Sequence, residues 1–209
     1  MKPRSMAVQA RRSPVRFNQR GFSMVELAIT MTVILILGAI ASPFLMRAAR
    51  IYQLNDSATR LAGLLKLTRF EAIRNNTKIG CGFQQNGTTW TVWKDTNGNG
   101  NVDPTEMQLV MGGITDLLPA AAAPDPAPIA ATIGGGGALA LNVVSGANGL
   151  IRFDARGAVD FGAAPPAVYV LYVGSAIDAT SGYRAVLVFP AGTTQVWTAT
   201  AAGDWRRTS

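Results

Sequence analysis

Residues 22–46, FSMVELAITMTVILILGAIASPFLM, form an apolar run that carries a single charged side chain, Glu26. About 20 apolar residues in a helix cross the hydrocarbon core of a bilayer. Only a helix can satisfy its own backbone there within one segment. Six basic residues and no acidic one precede the run (Lys2, Arg4, Arg11, Arg12, Arg16 and Arg20), and Arg47 and Arg50 follow it. That asymmetry predicts a cytoplasmic N-terminus and an exported C-terminal body. A secretory signal peptide is the competing reading, with cleavage near Ala41 and Ser42. The run is long for a signal core, and Pro43 and Phe44 suit such a site poorly.

Composition narrows the function. With 48% hydrophobic and 15% charged residues, the chain is not wholly disordered. It has no histidine, which excludes His-based triads, Cys-His pairs and HExxH zinc sites. A single cysteine, Cys81, excludes an internal disulfide framework and a Cys-rich zinc site. The formal net charge of +7 suggests nucleic acid, but its distribution does not. Without the six N-terminal cations, 13 basic side chains face 12 acidic ones. Residues 47–78 hold seven basic and two acidic groups, and the chain beyond them holds six and nine. A basic stalk leads into a mildly acidic body.

The helical pattern continues from 47 to 76. Ile51, Leu54, Ala58, Leu61, Leu65, Phe70 and Ile73 recur at helical steps and predict an apolar stripe. Asn75-Asn76 is a suitable stop, because Asn accepts the left-handed position at a helix end. Gly38 and Pro43 are the expected weak points. Beyond 77 the chain reads as β. Strands are predicted at 78–84, 88–94, 107–111, 139–144, 149–154, 168–173, 184–189 and 194–200, with a hairpin at Gln85-Asn86-Gly87. The Ala-, Pro- and Gly-rich stretch 112–138 reads as a flexible surface loop. The predicted class is α+β: one long N-terminal helix, transmembrane then amphipathic, on an antiparallel sheet or pair of sheets spanning 77–209.

Residues 20–27, Arg-Gly-Phe-Ser-Met-Val-Glu-Leu, resemble the processing signal of type IV pilins and type II secretion pseudopilins. The resemblance implies that a prepilin peptidase removes leader 1–21, cutting between Gly21 and Phe22, and that Phe22 becomes N-methylated. Met6 is an alternative start. Glu26 matches the family's acidic position and Pro43 its stalk proline. A lone carboxylate in a membrane segment costs about 2.5–3.5 kcal/mol and usually has a partner. The α-amine freed before Phe22 of an adjoining subunit is such a partner; the alternative is a Glu26 that reaches the headgroups.

Three further stretches are similar to the pseudopilin family typified by GspH and FimT. They are Phe70–Asn76, Trp90–Asp95 with its Asn-Gly-Asn-Gly turn, and Ile151–Gly157. The family implies a pilin-like fold and a minor pseudopilin or minor pilin at or near a filament tip. It implies a single-pass chain in the bacterial inner membrane with a periplasmic body. Its partners would be other pilins or pseudopilins, the membrane and the prepilin peptidase/methyltransferase. Some FimT-like members bind DNA through a Gly-Arg-x-Arg stretch. Here Gly192-Thr193-Thr194-Gln195 stands in the comparable place, without either arginine, so nucleic acid is disfavoured as a partner. Arg206 and Arg207, beside Trp205, are the residues a DNA-binding alternative would use. A solvated, frayed tail is the plainer reading.

One loop has metal-ligand spacing. Asp95, Asn97, Asn99, Gly100, Asn101, Asp103 and Glu106 match every fixed position of the pattern D-x-[DN]-x-[DN]-G-x5-E. Asp95, Asn97, Asn99, Asp103 and Glu106 would give calcium side-chain oxygens and Asn101 its carbonyl. A strand, not a helix, precedes the loop, and ordinary Asn/Gly turn chemistry is the alternative. No cofactor is required by the reading, and no catalytic residues are assigned. Cys81 is expected to be a small buried side chain, since no histidine can activate it. Of Trp90 and Trp93, one is expected in the core and the other at an interface. Asp154 and Asp160 show no companion for acid–base work.

Overall fold

A computed structural model describes residues 22–113, 115–118, 123–125, 127–133, 140–143, 148–175 and 178–208. The chain divides into two units, residues 1–43 and 44–209. Helix α1, Met24–Asn75, contributes to both and runs through Gly38 and Pro43 without interruption.

In the first unit every described residue is exposed. Met24, Val25, Leu27, Ile29, Leu35 and Leu37 point out on all sides of the helix. A helix that is apolar all round has no solvated face. Its most apolar 18 residues have a mean hydropathy of 2.3 and none is buried, so α1 is long and apolar enough to cross a membrane.

In the second unit α1 becomes one-sided. Leu54, Ala58, Leu61, Leu65, Thr68 and Ala72 are buried. They keep a strict 3.6-residue phase. The stripe therefore runs through Thr68 and Ala72, and not through Phe70 and Ile73, which stand out at 60% and 41% exposure. Thr68 is tolerated there because its hydroxyl donates to the Leu64 carbonyl at 2.8 Å. At the C-terminus Asn76 takes φ +50°, the left-handed position that ends the helix.

The strands are β1 Ile79–Asn86, β2 Thr89–Asp95, β3 Gln108–Gly112, β4 Asp116–Leu118, β5 Ala140–Val143, β6 Asn148–Phe153, β7 Ala167–Gly174, β8 Tyr183–Val188, β9 Thr194–Ala199 and β10 Trp205–Arg207. A four-stranded sheet has the order β3-β2-β1-β6, and a second the order β10-β9-β8-β7-β4. All these neighbours are antiparallel; β5 joins β7 in parallel, which an all-antiparallel body did not anticipate. Helix α2 is Ala127–Ile133. The stretch 112–138, read as a flexible loop, thus holds β4 and α2 among its described residues.

Two apolar clusters hold the body. In the first, Leu54, Ala58, Leu61 and Leu65 of α1 pack with Ile79, Phe83, Val92, Phe153, Leu171 and Val186. In the second, Ile129 of α2 packs with Val168, Val170, Tyr172, Leu187, Trp197 and Trp205. Alternate residues of β7 and β8 thus enter opposite clusters. That explains why β7 and residues 185–188 of β8 are continuous apolar runs instead of alternating ones. Each large side chain so buried contributes about 1.5–3 kcal/mol.

Polar ties fasten the lower part of α1 to the body. Lys94 pairs with Glu71, both side chains being largely buried. Arg50 pairs with Asp178. Arg69 Nε donates to the Gly157 carbonyl at 2.8 Å, and Arg184 Nε to Asn55 Oδ1 at 2.6 Å.

Candidate functional site

The first candidate is the start of α1. Gly21 lies outside the described residues, as does the rest of 1–21. Phe22 is 76% exposed and precedes the helix by two residues. Ser23 begins it: its carbonyl accepts the Leu27 N–H at 3.0 Å, and its hydroxyl lies 3.4 Å from the Val25 nitrogen. Glu26 sits in the first turn, where unpaired N–H groups favour a carboxylate. It is exposed, and it is the one charged side chain in residues 22–46. In contact with lipid, a carboxylate so placed is costly unless it is paired or reaches the interface.

The second candidate is the loop between β2 and β3. Its base is closed by Lys94 N–H donating to the Met107 carbonyl at 3.0 Å. Gly98 and Gly100 take φ +73° and +72°, which lets the chain turn back on itself. Asp95 is buried at 1% exposure, and its Oδ2 accepts the Gly100 N–H at 3.0 Å. Asn97 and Asn99 donate from Nδ2 to Asp103 Oδ2 at 2.6 and 2.9 Å. Glu106 Oε1 accepts the Thr96 N–H at 2.7 Å. Asn101 N–H donates to Asn99 Oδ1 at 2.7 Å. All five anticipated side-chain ligands, Asp95, Asn97, Asn99, Asp103 and Glu106, are thus joined across the loop or to its main chain. The contribution of Thr96, through its main-chain N–H, was not visible in the spacing.

The third candidate is the C-terminus. Trp205, Arg206 and Arg207 form β10 against β9, with Trp205↔Ala199 and Arg207↔Trp197 in register. The frayed-tail expectation is corrected. Trp205 is 8% exposed, its Nε1 donates to the Asp125 carbonyl at 3.1 Å, and its ring lies 5.7 Å from that of Tyr172. The two arginines remain exposed. Arg206 lines a cleft with Arg47, Arg184 and Asp204. Arg184 is nearly buried, and desolvation lowers its pKa. Its place in the same cleft as Arg206 comes from the fold alone, 22 residues away in sequence.

Two remaining expectations concern single residues. Cys81 is fully buried, and burial pushes its thiol pKa strongly upward, away from nucleophilic use. Trp90 and Trp93 are both buried, at 4% and 3% exposure, so neither is an exposed interface anchor. Trp93 lines a small pocket with Gln84, Gly100, Asn101 and Leu150.

Two family models match the chain. One, described as the type II transport protein GspH, matches residues 57–192. The other, the prokaryotic N-terminal methylation motif, matches residues 16–42. Among solved structures the fold is similar to the type IV minor pilin FimU of Pseudomonas aeruginosa in two crystal forms. In one, 14% of residues are identical, the match covers 75% of this chain and 98% of that one, and the TM-score is 0.45. In the other the identity and TM-score are the same, with 76% and 94% covered. No curated protein matches the sequence.

Proposed function

The chain belongs to the GspH family of type II transport proteins, and from that premise we propose that it is a minor pseudopilin or minor pilin. It is a structural subunit of a type II secretion pseudopilus or a type IV pilus, at or near the tip of the filament. One coincidence of position carries the reading. The methylation motif spans residues 16–42, and within it α1 begins at Met24 with an exposed apolar surface and a single carboxylate, Glu26.

The steps follow from that arrangement. A prepilin peptidase cuts between Gly21 and Phe22, and the new α-amine of Phe22 is methylated. The residues from 22 to 46 anchor the subunit in the inner membrane, with the N-terminus cytoplasmic and the body periplasmic. On assembly the apolar helix leaves lipid for a bundle of like helices. That exchange is nearly neutral for apolar side chains, because lipid tails are as apolar as leucine. The charged groups then decide register. Glu26 meets the amine of a neighbouring subunit, and any other register leaves both charges unpaired. Filament members act by structure, and no group in this chain is assigned a catalytic role.

The test is incorporation. Filaments sheared from cells should contain this chain as a minor component. Glu26→Ala should leave processing intact but hold the chain in the inner membrane, at least tenfold depleted from filaments. Normal incorporation of Glu26→Ala would refute the pairing.

A second reading, a DNA-binding minor pilin, is supported by one observation: Arg47 and Arg206 line the same cleft. A gel shift across a salt series separates the two. Salt-sensitive binding lost in Arg206→Ala/Arg207→Ala favours DNA, and its absence leaves the structural subunit.

A further inference from the structure

The loop between β2 and β3 contains two carboxylate oxygens that the fold does not satisfy. The Asp95 carboxylate is turned into the loop by its Oδ2, which takes the Gly100 N–H. Its Oδ1 is buried with no hydrogen-bond partner. Glu106 reaches back across the loop to the Thr96 N–H with Oε1, and its Oε2 is likewise buried without a partner. Burying a charged oxygen without a donor is strongly unfavourable, and native folds rarely keep one unless something meets it. Among the described residues no salt bridge involves Asp95, Asp103 or Glu106. The adjacent cation, Lys94, is engaged by Glu71.

The two orphaned oxygens come from the first and last positions of a twelve-residue stretch. Positions three, five and nine of that stretch, Asn97, Asn99 and Asp103, already meet through their side chains. Position six is Gly100, at φ +72°. These are the oxygen-donor positions, and the glycine, that wrap a hard divalent cation in a twelve-residue loop. We propose that residues 95–106 bind one calcium ion through Asp95, Asn97, Asn99, Asp103 and Glu106 and the Asn101 carbonyl.

Donor chemistry selects the ion. All six donors are oxygens, which suits calcium or magnesium over transition metals. Magnesium demands a near-ideal octahedron, whereas calcium accepts an irregular shell and a bidentate carboxylate such as Glu106. Among the described residues no three acidic, histidine or cysteine groups stand together as a preformed cage. The ion therefore closes the loop, drawing Asp95 Oδ1 and Glu106 Oε2 to one centre, and amides and a carbonyl supply half of its shell. The Asn97 and Asn99 Oδ1 atoms each accept one main-chain N–H, at 3.0 and 2.7 Å, and each keeps a second lone pair. The loop joins two paired strands, so the ion braces a hairpin. Gly100 and Asn101 line one small pocket with Trp93, so bracing also fixes one wall of that pocket.

The test uses the full chain in detergent micelles, stripped with chelator and titrated with calcium chloride. One site is expected, with a dissociation constant of about 0.1–1 mM, as in weak extracellular calcium modules, since two amides in place of carboxylates lower the charge of the site. At 10 mM calcium the unfolding temperature should rise by about 3–10 °C. Terbium should luminesce on excitation of tryptophan, and calcium should quench it by displacement. Glu106→Gln should weaken calcium at least tenfold while keeping the unfolding temperature of the chelated parent. If Glu106→Gln does not fold, Asp103→Asn supplies the same reading at a partly exposed position. No heat and no thermal shift at 10 mM calcium would overturn the proposal. So would a calcium response that survives both substitutions, or an equal response to magnesium.

Discussion

The indole of Trp93 packs on Gly82, its register partner on β1, so closely that a Cβ on Gly82 would lie 2.3 Å from the ring. Trp93 is itself buried, at 3% exposure, so the ring has to shift for the methyl group to fit. Gly82→Ala is therefore expected to destabilise the body by about 1–3 kcal/mol through overpacking. It should also shift Trp93 emission to the red as the ring is displaced. Denaturant unfolding followed by fluorescence measures both. An unchanged midpoint and spectrum would show that the strand pair accommodates a methyl group without moving the ring.

Acid should loosen the tie between α1 and the segment before β8. Asp178 accepts from the Thr180 hydroxyl and N–H and from Ser181, and it pairs with Arg50. The Thr180 hydroxyl and then Arg50 hold its carboxyl well below the usual carboxylate range. A pKa lowered by folding gives stability that is present above the unfolded value, about 3.9, and is lost as pH falls toward the folded one. Unfolding temperature should thus drop between about pH 4 and pH 2 more steeply in the parent than in Asp178→Asn. Asn preserves the cap on Ala179–Ser181 while removing the charge. Parallel curves for the two proteins would remove Asp178 from the acid response.

Much of this architecture is legible in the sequence, and the departures from it have physical causes. The apolar run, the stop at Asn76 and the eight strands beyond 77 follow from periodicity and turn residues. Phe70 and Ile73 are large and apolar, so the sequence points to a stripe through them. The 3.6-residue phase set by Leu54, Leu61 and Leu65 instead buries Thr68 and Ala72. β4 was missed because Asp116–Leu118 is only three residues long and draws its pairing from β7. β10 was missed because Arg206 and Arg207 look like a solvated end, while the tie that orders them is the distant pair Trp205 and Asp125. In the loop 95–106, spacing identified the residues. It could not say that Asp95 Oδ1 and Glu106 Oε2 are left buried and unpaired.

The central claim is that this chain is a processed filament subunit, and the mass of its N-terminal peptide tests it most directly. Envelope fractions from cells with and without the prepilin peptidase would be digested and the terminal peptide identified. The account predicts a chain beginning at N-methyl-Phe22, found only when the peptidase is present. A chain that retains residues before Phe22 in both strains, or one cut after the apolar run near Ala41, would contradict it.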